Sequence, residues 1–151
     1  MRYREVTQLH TQAPWRTDGH DADGNPGDCY RAAIASLLDL PVQEVPHFGI
    51  YLSWWEETRR WLHQQDRDLV YVEPGDELHQ LWCEVEPATP VLVGGRSPRG
   101  SFGHVVVGLA DGTQLWDPHP SRAGLRTVDE FFLPVAPYGY LSERFALEAT
   151  A

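Results

Sequence analysis

The stretch 24–38, GNPGDCYRAAIASLL, constrains the fold more than any other part of the chain. A turn rich in Gly, Pro and Asn runs into a helical pattern in which Ala32, Ala33, Ala35, Ser36, Leu37, Leu38 and Leu40 leave almost no polar face. A surface helix keeps a polar stripe, so one this densely apolar belongs inside the molecule. The pattern predicts a buried central helix over 28–39, with Asp28 as its N-cap and Pro41 as its stop. Cys29, one of only two cysteines, stands in the first turn of that helix.

A buried helix needs a core around it. With 151 residues, 42% of them hydrophobic, and six Trp, six Tyr and five Phe, the chain can supply one, and it reads as a single domain over 1–151. Twelve Lys and Arg against 22 Asp and Glu give a net charge of −10, which argues against nucleic acid and anionic membrane as partners. No apolar run approaches the ~20 residues that span a bilayer. The N-terminus, MRYREVTQLHTQ, lacks the apolar core of a signal peptide. The expected compartment is therefore the cytoplasm, with Cys29 and Cys83 as free thiols.

Along the chain, residues 3–11 alternate weakly, as an opening strand would, and 15–28 read as loop. A second helix is expected over 51–64, with Leu52, Trp55, Trp61 and Leu62 facing inward. A strand follows at 68–74 and a helix at 75–85, the latter capped by Asp76. Strands are expected at 89–95, 103–110 and 113–118, the last two joined by the hairpin signal Asp111-Gly112. TVDEFF at 127–132 reads as a short helical turn, and 138–148 as a closing strand. Helices first and antiparallel strands second make an α+β fold.

A thiol at a helix N-terminus meets unpaired N–H groups and a partial positive charge, which favour the thiolate nucleophile. The same N–H groups, that of Cys29 included, can receive the oxyanion formed when sulfur attacks a carbonyl. Such a thiol needs a base, and the base needs an orienting acceptor. His104 opens the strand GHVVVGLA and Asp117 closes the next in LWDPHP. With the hairpin turning at Asp111-Gly112, His104 faces position 119, which places Asp117 two residues away on the same sheet face. A carboxylate there binds one imidazole nitrogen and leaves the other for the thiol.

GDCYRAAIASLL, GHVVVGL and LWDPHP together resemble the papain-like cysteine peptidases, and most nearly the bacteriocin-leader peptidase domains and their stand-alone relatives. The resemblance implies a papain-like fold, with Cys29 as nucleophile, His104 as base and acid, and Asp117 as orienter. Those peptidases carry a Gln six residues before the cysteine as oxyanion donor. Here that position is Asp23, an acceptor, and Asn25 is the substitute donor amide. In the loop GGRSPRG, Arg96 and Ser97 are candidates to contact a substrate carboxylate or carbonyl, and Trp54 to wall a cleft.

The expected chemistry is acyl transfer from a peptide, small amide or thioester through a thioester on Cys29, with no cofactor. Water as acceptor makes a peptidase or amidase, and an amine makes an acyltransferase. Two alternatives stand beside this reading. Asp23 in place of Gln suits a binding or adaptor protein that keeps the fold without the chemistry. His104, Asp117 and His119 share a face and offer three metal ligands. Asp117 before Pro118 also has a plain structural use as an Asx turn.

Overall fold

The computed structural model describes residues 3–13, 15, 19–24 and 26–136. Three helices, α1 (Cys29–Leu38), α2 (Trp54–Gln64) and α3 (Glu77–Val85), accompany five strands, β1 (Asp68–Val72), β2 (Val91–Arg96), β3 (Gly103–Gly108), β4 (Gln114–Trp116) and β5 (Glu130–Val135). The strands form one antiparallel sheet in the order β1-β5-β2-β3-β4. The α+β class expected from the sequence is the one observed.

Alternation along the strands divides the core in two. Leu69, Leu92, Val107 and Phe132 pack with Ala32, Ala33, Ile34 and Ala35 of α1 and with Leu62 of α2. Val91, Val93, Val106, Phe131 and Leu133 pack on the other face with Trp82 of α3. Both faces of the sheet are covered, which explains why β2 reads as an unbroken apolar run. The alanines of α1 are fully buried, and their small side chains let the helix axis approach β3 closely.

Several local expectations change. Residues 3–11 form no strand: Arg4 N–H donates to Ser36 O at 2.9 Å and Gln8 N–H to Pro118 O at 3.0 Å. The segment bridges two elements and so cannot pair along either. The turn expected at 127–132 is instead an irregular stretch at 127–129 that leads into the first half of β5, which lies between β1 and β2. A short apolar run fits a buried strand as well as a helix. Pro134 is tolerated there because β2 pairs only with residues 130–132, so β5 has a free side at Pro134. Leu52 is fully exposed just ahead of α2, while Leu62 is buried and Trp55 and Trp61 are half-buried against the core. The strand expected at 138–148 lies outside the described residues.

The Asp111-Gly112 hairpin forms with Val107 opposite Trp116, the register expected, and a bulge then shifts Gly108 to face Gln114. On the other side of β3, Gly95 of β2 faces His104. A Cβ on Gly95 would stand 1.8 Å from Thr127 O, so no side chain fits where the 127–129 backbone crosses the strand. Gly95→Ala must therefore displace backbone beside His104. The expected loss is at least ~2 kcal/mol of stability, read from urea unfolding midpoints.

Candidate active site

Asp28 occupies the N-cap position of α1 but makes no side-chain cap bond. Its carboxylate is fully buried and turns toward the N-terminal segment. Oδ1 accepts the His10 N–H at 2.7 Å, Oδ2 accepts the Leu9 N–H at 3.2 Å, and Arg31 Nη1 stands 3.6 Å from Oδ2. The segment that carries Gln8 and Gln12 is thereby fixed beside the start of the helix. Cys29, the first helical residue, has by position an N–H without an intrahelical partner.

At the entrance to β3, the hairpin delivers the expected pair. His104 Nε2 donates to Asp117 Oδ1 at 2.6 Å, and both side chains are nearly water-free. Asp117 Oδ1 also accepts the His119 N–H at 2.9 Å, and Oδ2 accepts the Gly124 N–H at 2.7 Å. The Asx-turn use and the orienting use of Asp117 thus coexist. Burial alone would raise the Asp117 pKa, but the His104 bond, the two backbone N–H groups and the imidazolium charge hold it below the ordinary carboxylate range. Burial likewise acts to lower the His104 pKa. The Asp117 bond and the hydrogen-bonding and charge of Cys29 outweigh that effect and raise it to about 9. The imidazole therefore carries its proton at neutral pH, with Nε2 committed to Asp117 and Nδ1 left for Cys29.

Cys29 and His104 line one cleft of ≈ 140 Å³ with Gln8, Gln12, Arg99, Phe102 and His119. On a scale where one water occupies ~10–15 Å³, this is room for roughly ten water-sized groups. The cleft accepts a short chain segment or a small molecule.

Arg96, Ser97 and Trp54 are not among the cleft-lining residues. Ser97 is fully buried, and its Oγ accepts the Arg99 N–H at 3.1 Å. That turn brings Arg99, not Arg96, to the cleft. Trp54 packs edge-on against Tyr30, with ring centroids 5.4 Å apart. Asn25 lies outside the described residues. Gln8 and Gln12 line the cleft as side-chain amides that the sequence does not single out, since both lie far more than six residues before Cys29. The loop between Ala13 and Gly27 separates them from the cysteine along the chain, and Asp28 restores their proximity. A search for donor amides anywhere upstream of the thiol finds both.

His119 Nδ1 accepts the Ser121 N–H at 3.0 Å. Burial, then the charges of Arg99 and His104, lower its pKa to about 4. His104 and Asp117 spend their facing atoms on each other, and no group of three or more His, Cys, Asp and Glu suited to a metal occurs among the described residues. Cys83 is a free thiol on α3, 3.6 Å from His79 Nε2, with its pKa raised by burial and by Asp111 and Glu84. No helix among the described residues is long and apolar enough to cross a membrane.

Comparison with protein-family models, with curated proteins and with solved structures returns no match.

Asp117→Asn removes the negative charge that holds the His104 proton and leaves only a neutral amide oxygen as acceptor, while burial remains. The His104 titration should fall by ~1 unit or more, seen in imidazole NMR shifts against pH. The sign for stability follows from the raised value. A group lifted from 6.5 to about 9 contributes fully below 6.5, and that contribution disappears as pH rises through about 9. Wild type should lose stability across that window, and the Asn variant should lose less of it.

Proposed function

We propose that the protein is a papain-like cysteine hydrolase or acyltransferase acting on a peptide, small amide or thioester. The observation that carries the reading is the convergence of Cys29, the His104–Asp117 pair and donor amides on one small cleft. A packing cysteine requires neither a buried, charged imidazole beside it nor a carboxylate to hold that imidazole.

With His104 already an imidazolium, sulfur attacks the carbonyl carbon as the thiolate of that ion pair, and the carbonyl oxygen becomes an oxyanion. Asp117 keeps the imidazolium oriented and stabilised throughout. The oxyanion takes the Cys29 N–H and a side-chain amide, for which Gln8 is the best placed. Gln8 is buried, donates from Nε2 to His10 O at 2.7 Å, and lies beside Gly27, two residues before the nucleophile. One Nε2 proton is held by His10, and the other is left for the substrate. Collapse of the intermediate breaks the C–N or C–S bond, and His104 protonates the leaving atom. Water or an amine then takes the acyl group from sulfur.

Mass spectrometry after incubation with a p-nitrophenyl ester tests the central claim. An acyl adduct is expected on Cys29 and not on Cys83, and Cys29→Ala should abolish it. Modification confined to Cys83 would remove the catalytic assignment. Gln8→Ala should lower the acylation rate constant by ~100-fold, with little change in the concentration of ester that half-saturates it. An unchanged rate constant would exclude Gln8 as the donor.

A further inference from the structure

Arg99 is a cation that lines the cleft together with Cys29 and His104. Its Nη1 donates to Ser121 Oγ at 3.2 Å, while its Nε is buried and has no acceptor. It forms no ion pair with the described residues, and no other contact of Arg99 is left unaccounted for among them. Burial lowers its pKa, but a guanidinium keeps its charge. Its field reaches both Asp117 and Cys29. A guanidinium whose Nη1 is held by Ser121 leaves Nη2 and the unused Nε on one edge, the fork that a carboxylate meets with two parallel hydrogen bonds.

Its position in the fold selects which part of the substrate carries that carboxylate. Arg99 rides on the β2–β3 connection that leads through Phe102 and Gly103 into His104, and it neighbours His119. This is the imidazole side of the thiol. The group that His104 protonates leaves from that side, and the acyl group stays on the side of Gln8 and the helix N-terminus. The geometry points to Arg99 as a substrate-binding residue that holds a carboxylate on the leaving group, so that the favoured substrates are amides of amino acids with a free carboxylate. This deepens the cysteine-hydrolase reading and rests on it. When the C–N bond breaks, the amine takes its proton from His104 and departs with the carboxylate on Arg99. The acyl group remains on Cys29 for water. Ser97, which accepts the Arg99 N–H, is the positioning residue for this contact.

Alkylation with iodoacetate and iodoacetamide tests the cation without presuming a substrate, because the two reagents match in size and differ in charge. The ratio of their rates at Cys29 should exceed that at Cys83. It should fall by ~10-fold or more in Arg99→Gln and be largely retained in Arg99→Lys, with the fold of each variant verified by circular dichroism. A ratio unchanged in Arg99→Gln overturns the proposal, as does a ratio lost equally in the Lys variant, which would mark packing and not charge. Cys29 slower than Cys83 toward both reagents would instead overturn the thiol reading itself. N-acetyl dipeptides with a free C-terminal carboxylate should be cleaved at least ~10-fold faster than their C-terminal amides. Equal cleavage, or cleavage of neither, excludes the leaving-group placement.

Discussion

The cleft depends on one buried carboxylate. Asp28 is shut off from solvent directly before Cys29, and removing a carboxylate from water costs several kcal/mol unless partners replace the hydration. The partners here are the N–H groups of Leu9 and His10, with Arg31 alongside. Neither N–H group belongs to the first turn of α1, where an N-cap aspartate would ordinarily bond; that turn supplies only the Arg31 side chain. Asp28 thus gives up the cap and ties a distant, irregular segment to the helix start. By its position the Cys29 N–H has no intrahelical partner, and the tie brings Gln8 to the wall of the cleft beside it.

The second constraint is the short hairpin that carries His104 and Asp117. A strand pair only a few residues long would be a poor platform by itself, yet β3 is paired on both edges and β2 lies in the middle of the sheet. Gly95 lets the 127–129 backbone close over that platform opposite His104. Asp117 is fixed by two backbone N–H groups in addition to the imidazole, so its orientation does not depend on the histidine it serves. The His104–Asp117 pair is thus held by bonds from three directions: the imidazole, the His119 N–H and the Gly124 N–H.

Features set by local chemistry were legible in the sequence. Helix α1 announced itself through its all-round apolar pattern, and the His104–Asp117 geometry followed from the Asp-Gly turn and strand parity alone. What could not be read were relations decided by distant partners. Phe131 and Phe132 suit a helical turn or a buried strand equally, and only the gap between β1 and β2 decides. Residues 3–11 alternate like a strand but spend their bonds on Ser36 and Pro118. Arg96 and Arg99 are equivalent in the string GGRSPRG. The Ser97 hydroxyl turns the loop between them and selects which one meets the cleft.

A fold retained only for binding or packing would be expected to relax groups that are costly to keep. In this cleft the opposite holds. Gln8 Oε1 and Arg99 Nε are buried without partners, and the buried His104 side chain has its pKa raised to about 9. Each orphan atom opposes stability, since an unsatisfied buried polar atom costs ~1–3 kcal/mol. Elsewhere among the described residues, Trp82 Nε1 is the one other orphan atom of this kind. Two of the three such atoms therefore belong to residues that line a single cleft around one cysteine. Local conflict of this sort concentrates where a site must hold polar groups ready for something outside the chain. That concentration marks the cleft as the place where the chain is prepared to meet a ligand.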